Sequence, residues 1–217
     1  MWLFWFSRFT FHVSRFTPDS PLVMTEILSP SFFERDVVLV ARQLLGTRLV
    51  RLQDGERIGG MISEAEAYRG EEDLACHAKA GFTPRTAVMY GPPGRAYVYF
   101  TYGMHWMLNC VCGPTGFPSA ALVRAIIPLE GMKRISARRN GRPEADWCNG
   151  PAKLTQALAI DRRFNGANLC QPEDNLWIET GEAVTDERVV IGPRVGINGV
   201  PEPWLSMPWR FRIKAQG

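Results

Sequence analysis

A chain of 217 residues with 46% hydrophobic and 22% charged residues has the size and composition of one well-packed globular domain, which excludes an intrinsically disordered protein. Its net charge of +3 suits a polyanionic partner but does not establish one. Five cysteines without a Cys-x-x-Cys pair indicate neither a disulfide framework nor a zinc knuckle, so we expect a reducing, intracellular setting.

Residues 1–23 are rich in aromatic side chains, and Arg8 and Arg15 interrupt the apolar run before it reaches membrane-spanning length. The segment also lacks the charged start and the small-residue cleavage site of a signal peptide. We therefore expect an N-terminal extension that is disordered or not native, with Met24 as the functional start and the folded domain at residues 24–217.

The first predicted elements are a helix and a β-hairpin. Asp36 can cap a helix whose apolar positions recur at helical spacing and which Gly46 ends. Residues 47–53 are predicted as a strand, Asp54 and the glycine after it as a turn, and residues 57–68 as the returning strand.

The end of this returning strand carries two carboxylates and a phenol. Because successive side chains of a strand alternate between its faces, Glu64, Glu66 and Tyr68 should point the same way. Taken singly, either glutamate would most simply be an ion-paired strand carboxylate.

Residues 69–95 are rich in Gly, Pro and charge, and they are interpreted as a long connecting loop that contains His77. Residues 91–94 within it lack the Gly-Lys-Ser/Thr ending of a phosphate-binding loop. Binding of a nucleoside triphosphate is therefore unsupported.

The strongest strand signal belongs to residues 97–102. After a turn at Gly103, residues 104–112 are predicted as the returning strand of a β-hairpin. Alternation places Tyr97, Tyr99 and Thr101 on one face, and Val98, Phe100 and Tyr102 on the other. On the return strand, one face carries His105, Met107, Asn109 and Val111. The aromatic ring of Tyr102 at the tip needs a partner or burial, and packing on a neighbouring loop is the simplest interpretation.

The remainder of the chain adds strands and helices but no repeat or linker. Arg124 is the only charge in a predicted apolar strand at residues 119–127, and such an arginine usually faces a carboxylate or a ligand. The other predicted elements are a basic helix at 131–139, a helix at 151–160 that begins with proline, broken strands at 176–194, and a last short strand within 203–211.

Several segments occur in the order and spacing of a known family. They are Glu64-Ala65-Glu66-Ala67-Tyr68, His77, Thr83-Pro84-Arg85, Tyr97-Val98-Tyr99-Phe100-Thr101-Tyr102-Gly103-Met104, Asn109, Leu122-Val123-Arg124-Ala125, Gly150-Pro151-Ala152-Lys153-Leu154, Gln156-Ala157-Leu158 and Arg194-Val195-Gly196-Ile197. In these segments, from about Ser29 to Ile213, the chain resembles the alkyladenine (3-methyladenine) DNA glycosylases of the mammalian type, which also occur in bacteria.

The predicted fold is mixed α/β (α+β), in a single domain. We expect a curved, mostly antiparallel sheet that carries the pocket, helices around it, and a protruding β-hairpin that intercalates into DNA. The resemblance implies base-excision repair of alkylated or deaminated purines, of the class of 3-methyladenine, 7-methylguanine, hypoxanthine and ethenoadenine.

The resemblance also implies roles for the pocket residues. Glu66 would be the general base that activates water, and Arg124 would help to hold that water. Tyr68, His77 and Tyr99 would wall the pocket for the extruded base. One further residue, Asn109, would hinder the amino group of a normal guanine.

At the DNA interface, Tyr102 would fill the gap that the extruded base leaves in the duplex. Further candidate DNA contacts are Met104, Arg85 and Thr83. The implied partner is double-stranded DNA that contains damaged purines, and the implied oligomeric state is a monomer. Neither a membrane nor a metal or organic cofactor is implied. The implied location is the cytoplasm, at the nucleoid in a bacterium, or the nucleus in a eukaryote. None of the pocket residues that the resemblance implies is a lysine that could form a Schiff base, so a monofunctional glycosylase that leaves an uncut abasic site is predicted.

Two other functions are open. A non-catalytic nucleic-acid-binding module could use the same basic and aromatic surface, and it would bind damaged duplex without releasing a base. A sugar glycosidase could use Glu64 and Glu66 as its carboxylate pair. This second alternative is weak, because side chains two apart on a strand lie parallel, whereas glycosidase carboxylates flank the substrate from opposite sides.

Overall fold

An antiparallel sheet of eight strands forms the centre of the protein, with four α-helices packed around it within residues 25–214, the part of the chain that the computed structural model describes. The strands are β1 Arg48–Gln53, β2 Glu56–Arg69, β3 Ala96–Thr101, β4 His105–Cys112, β5 Ser119–Glu130, β6 Leu176–Glu179, β7 Val189–Gly192 and β8 Arg210–Ile213. The helices are α1 Pro30–Phe33, α2 Val37–Gln43, α3 Met132–Arg138 and α4 Pro151–Leu158. The predicted mixed α/β domain is confirmed, whereas the predicted extension at residues 1–23 lies outside the described residues.

The long strand β2 is the centre of the sheet, whose order is β3-β4-β5-β2-β1-β6. Its first half pairs with β1, its second half pairs with β8, and β5 lies along its other side. Two adjacent glycines allow this crowding: a Cβ on Gly60 would lie 2.0 Å from the carbonyl oxygen of Ile127. The strand that carries Glu66 is thus paired on both of its edges.

The pairing of β2 with β5 is irregular near the predicted carboxylates. Ile62 pairs with Ile126 and Glu64 pairs with Ala125, so Ser63 is an extra residue in β2. A second shift, between Glu64 and the next residue, leaves Arg124 of β5 without a directly opposite Cα partner in β2. Such bulges bend a strand and redirect side chains, and here the bend turns Arg124 toward the acidic face of β2.

The predicted start of α2 is confirmed. The side chain of Asp36 accepts a hydrogen bond from the backbone N–H of Val38 over 2.9 Å, which satisfies one of the unpaired donors of the first turn. The apolar face of the helix is buried against the sheet through Val37, Val40 and Ala41. Gly46 follows with φ of 89°, a left-handed conformation that favours glycine.

The predicted hairpin is also confirmed, as β3 and β4. Tyr102 and Gly103 both have positive φ values, of 52° and 67°, and form the turn. The ring of Tyr102 is 76% exposed, so it does not pack on a neighbouring loop. Phe100 and Met104 beside it are exposed as well, which gives the hairpin an apolar tip.

Residues 69–95 are more ordered than the predicted loop. They contain two short 3₁₀ helices, His77–Ala80 and Ala87–Tyr90. Asp73 organises the entry to this segment, because its carboxylate accepts hydrogen bonds from the backbone N–H groups of Arg69 and Ala75. Helix α1, which was not predicted, begins with Pro30 at its first position.

All five cysteines are free thiols, and four of them are buried. Among residues 25–214, no cluster of three or more His, Cys, Asp or Glu side chains is placed to hold a metal ion. Over the same residues, no helix has the length and apolar character needed to cross a membrane.

Candidate active site

A cavity of about 320 Å³ lies between the β3–β4 hairpin, the 3₁₀ helix His77–Ala80 and the end of β2. Its lining contains four tyrosines and one histidine among apolar and polar side chains, and it includes Tyr68, His77, Tyr97, Tyr99, Tyr102, Met107, Asn109, Leu122, Arg124, Pro151, Val195, Gly196 and Ile197. The strand alternation of β3 places Tyr97 and Tyr99 here together, as predicted. Tyr102 also reaches this lining, because the positive φ of the turn ends the alternation that would have put it on the opposite face.

Glu66 lies directly behind this lining, with a side chain that is 0% exposed. Its Oε2 accepts hydrogen bonds from the phenol of Tyr68 over 2.9 Å and from Nη1 of Arg124 over 3.2 Å. Its Oε1 accepts from the backbone N–H of Val195 over 2.8 Å. A carboxylate has about four acceptor positions, so about one position is left for a further donor such as water.

Opposing effects act on the ionisation of this carboxyl group. Burial raises the pKa of Glu66, and the charge of Arg124, the Val195 amide and the Tyr68 phenol each oppose that rise. The pKa of Tyr68 is raised well above 10 by burial and by the neighbouring charge of Glu66. Tyr68 therefore remains a protonated phenol that donates to the carboxylate.

Arg124 joins the two predicted carboxylates. Its Nε donates to Oε1 of Glu64 over 2.8 Å while its Nη1 donates to Glu66. Burial lowers the pKa of Arg124, but the charges of Glu66 and Glu64 outweigh burial and the net pKa is raised. Glu64 is shared with a second arginine, Arg210, at 2.9 Å. The prediction that Arg124 faces a carboxylate is confirmed.

His77 also lines the cavity. Its Nδ1 lies 3.0 Å from the hydroxyl of Tyr97, and its ring meets Tyr99 edge to face with centroids 4.5 Å apart. Burial, together with the charges of Arg85 and Lys79, lowers the pKa of His77 to about 4. The imidazole is therefore neutral near pH 7.

Asn109 is buried in the cavity wall on β4, where its Nδ2 donates to the carbonyl oxygen of Tyr97 over 3.1 Å. The two residues face each other in the register of the hairpin. This hydrogen bond fixes the orientation of the amide group, because only one of its two ends can donate.

The four predicted DNA contacts divide into two groups. Tyr102 and Met104 form the exposed tip of the hairpin, and Tyr102 alone of the four lines the cavity. Arg85 is exposed with its guanidinium 5.2 Å from the centroid of the Tyr99 ring. Thr83 stays in its own loop, where its backbone N–H and hydroxyl both contact the hydroxyl of Thr86.

Sequence reasoning gave no role to two parts of this site. The backbone N–H of Val195 lies in a segment that matched the family, but a main-chain donor leaves no signal in side-chain chemistry. Beneath Tyr68, Asp73 and Arg194 form an ion pair in which both side chains are 0% exposed. Tyr97, in contrast, could have been assigned to the wall from its shared strand face with Tyr99.

Comparisons with known proteins agree with this geometry. Residues 31–217 match the family model for methylpurine-DNA glycosylase. A protein of Carboxydothermus hydrogenoformans is 46% identical over 188 residues, which cover 87% of this chain and 95% of the relative. One of Anaeromyxobacter dehalogenans is 47% identical over 86% of this chain and 83% of its own length, and one of Methanocella arvoryzae is 44% identical over 87% and 92%. All three are provisionally named 3-methyladenine DNA glycosylases. The chain belongs to the methylpurine-DNA glycosylase family and is a DNA-repair hydrolase of N-glycosyl bonds.

Proposed function

We propose that the protein extrudes alkylated or deaminated purines from duplex DNA into the aromatic cavity and hydrolyses their N-glycosidic bond, with Glu66 as the general base. The observation that carries this proposal is the position of Glu66. Its carboxylate is fully buried, yet all three of its hydrogen-bond donors, on Tyr68, Arg124 and Val195, belong to residues that line the cavity.

Extrusion of the base is required because a base stacked in a duplex cannot reach a buried carboxylate. The cost is a few kcal/mol of lost stacking and pairing, and a side chain that takes the place of the base lowers it. Tyr102 suits this role, since its ring is exposed at the hairpin tip while the same residue borders the cavity. Met104, Arg85 and Thr83 are proposed as further contacts to the DNA.

The walls suit a purine of altered charge. The rings of Tyr68, His77 and Tyr99 can stack on any purine, at roughly 1–3 kcal/mol per base, so stacking gives affinity without selectivity. A purine alkylated at N3 or N7 is cationic, and the neutral state of His77 avoids repulsion of that charge. Selectivity would then arise from the weakened glycosidic bond of that cation and from exclusion, in which Asn109, a buried residue of the cavity lining, would hinder the amino group of a normal guanine.

In the proposed reaction, a water molecule attacks C1′ of an oxocarbenium-like sugar as the bond from C1′ to the base nitrogen breaks, and the electron pair of that bond leaves with the base. Glu66 takes the proton of the attacking water. Arg124 would hold that water with N–H groups beyond the two that bind Glu64 and Glu66. The buried carboxylate would also stabilise the positive charge of the sugar.

We further propose that the enzyme is monofunctional. None of the described residues that line the cavity is a lysine, so an amine that could form a Schiff base with the sugar is missing from that lining. Because one chain supplies the carboxylate, the walls and the hairpin, we propose a monomer acting on DNA. The free thiols suit a cytoplasmic setting.

The test is base release from methylated and from hypoxanthine-containing duplex DNA by the parent and by Glu66→Gln. Glu179→Gln is the matched control, because Glu179 is a buried carboxylate bonded to an arginine at the far side of the sheet. We expect release by the parent and the control, none by Glu66→Gln, and strand breaks only after alkali. Bound DNA with no release by the parent would instead support a binding module, and a borohydride-trapped adduct would contradict the monofunctional mechanism.

A further inference from the structure

The buried ion pair of Asp73 and Arg194 lies beneath the cavity wall rather than in it. Nη1 and Nη2 of Arg194 donate to the two carboxylate oxygens of Asp73 over 2.5 and 2.9 Å. Asp73 also accepts hydrogen bonds from the backbone N–H groups of Arg69 and Ala75. Its carboxylate is therefore held both by the guanidinium and by the main chain. The pair is therefore a rigid unit between the end of β2 and the segment that contains residue 194.

Arg194 connects two backbone segments that meet at Glu66, namely β2 and the segment that contains Val195. Nη1 of Arg194 also donates to the carbonyl oxygen of Ala67, the residue that follows Glu66 in β2. The next residue after Arg194 is Val195, whose backbone N–H donates to Oε1 of Glu66. One side chain thus sets the spacing between the carboxylate and the main-chain donor that binds it.

Arg194 also supports the aromatic wall. Its guanidinium lies 4.8 Å from the centroid of the Tyr68 ring and 5.0 Å from that of Trp209. Its Nη2 donates to the carbonyl oxygen of Trp204. Tyr68 is therefore backed by a fixed planar group on the side away from the cavity, while its hydroxyl is held by Glu66.

A buried ion pair is a weak source of stability, since well-packed apolar residues of similar volume are often as stable. An ion pair with arginine can instead fix the orientation of its partners, because a guanidinium presents its donors in a fixed planar fork. Here the fork meets Asp73 and the carbonyl oxygens of Ala67 and Trp204 together. This geometry suits a positioning role.

We propose that Asp73 and Arg194 are positioning residues, which hold the Val195 amide against Oε1 of Glu66 and keep the carboxylate directed at the cavity. This inference rests on the proposed function of Glu66 as general base. Neither residue touches the substrate in this proposal. They act through the Val195 amide.

The test uses three variants and one control. Asp73→Asn removes the charge partner, Arg194→Lys keeps the charge but loses the fork, and Val195→Pro removes the amide donor itself. Glu179→Gln, which breaks the ion pair with Arg57, controls for the loss of a mostly buried carboxylate elsewhere. Two readouts are compared: the pH dependence of single-turnover base release, and the titration of the Glu66 carboxyl by carbon-13 NMR in the free protein.

We expect the acidic limb of the rate profile and the NMR titration of Glu66 to move upward by about one pH unit in all three variants. The sign follows because loss of a donor to the carboxylate favours its protonated form. The control should leave both readouts unchanged. The other charged or titratable groups that face Glu66 stay in place in every variant; they are Glu64 and Tyr68 on β2, Arg124 on β5, Tyr99 on β3 and Arg210 on β8.

A double variant separates positioning from general damage. If Arg194 acts through the Val195 amide, Arg194→Lys combined with Val195→Pro should shift the titration no further than Val195→Pro alone. Additive shifts in the double variant would overturn the proposal. It would also be overturned if Asp73→Asn and Arg194→Lys lowered the stability of the protein but left the titration of Glu66 unshifted. Should Asp73→Asn fail to fold, the titrations of Arg194→Lys and Val195→Pro, which conserve the net charge, test the positioning role. Should the parent release no base, the proposed function fails, while the NMR titration still decides the positioning role.

Discussion

Nη1 of Arg124 lies 3.2 Å from Oε2 of Glu66, while Nε of the same guanidinium donates to Glu64 over 2.8 Å. One arginine therefore spans two carboxylates on one face of β2, and it stands at the point where β2 and β5 fall out of register. The two acids therefore lie in different surroundings. Glu64 holds the arginine from outside, and only Glu66 is fully buried behind the cavity.

Arg124→Lys tests this arrangement. A lysine keeps the charge but cannot bind both carboxylates in one planar fork, so we expect the single-turnover rate of base release to fall about 10- to 100-fold, from the loss of a charged hydrogen bond of about 1.5–3 kcal/mol. Arg57→Lys is the matched control, since Arg57 also joins two glutamates, Glu130 and Glu179. An equal fall in both variants would show that the effect is structural.

Tyr68→Phe separates the phenol from the ring. The variant loses the hydrogen bond to Glu66 but keeps the aromatic face, so we expect the rate to fall about tenfold. The affinity for duplex DNA that carries an abasic site should stay within about twofold of the parent. Weaker binding with an unchanged rate would mean that the hydroxyl contacts DNA rather than the carboxylate.

Tyr102→Asn removes the aromatic tip of the hairpin without straining its turn, because asparagine tolerates the positive φ of 52° at this position. We expect binding of damaged duplex to weaken about tenfold, the loss of one stacking contact, with no change in thermal stability. The comparison variant is Leu129→Asn, which removes an exposed apolar side chain at the far end of β5. Equal losses of affinity would assign the effect to general surface apolarity.

The pKa of His77 predicts a pH-dependent stability. The folded protein has a His77 pKa of about 4 and the unfolded chain one near 6.5, so between these values the unfolded state binds the extra proton. The free energy of unfolding should therefore fall as the pH drops from 6.5 to 4, by about 2–3 kcal/mol. Above pH 6.5 the contribution is fully present.

Urea unfolding of the parent and of His77→Phe across this range measures the effect, since the other titrating groups cancel in the comparison. The difference between the two curves should change with pH only between about 4 and 6.5. Two parallel curves would contradict a neutral, desolvated imidazole in the folded protein.

Much of this fold was predictable because its signals are local. The cap at Asp36, the alternation of Tyr97 and Tyr99, and the turn at Gly103 each depend on a few neighbouring residues. The same alternation correctly placed Glu66 and Tyr68 together, as their hydrogen bond confirms.

The remainder of the site depends on contacts between distant segments. Asp73 and Arg194 are 121 residues apart, and no periodicity joins them. The extra residue at Ser63 that redirects Arg124 arises from the pairing of two strands, which neither strand encodes alone. The donor from Val195 is a main-chain group, so its residue type carries no sign of its role.

The order of the strands has a further consequence for how the enzyme handles DNA. Strand β3 of the hairpin is an edge strand of the sheet, whereas β2 is paired with other strands on both of its edges. Amide hydrogens near Glu66 should therefore exchange with solvent only when the whole domain opens, while those at the hairpin tip exchange through local opening. In the proposed mechanism the hairpin must adapt to a distorted duplex, whereas the carboxylate of Glu66 must stay fixed, and these opposite demands on stiffness fall on different strands of the sheet.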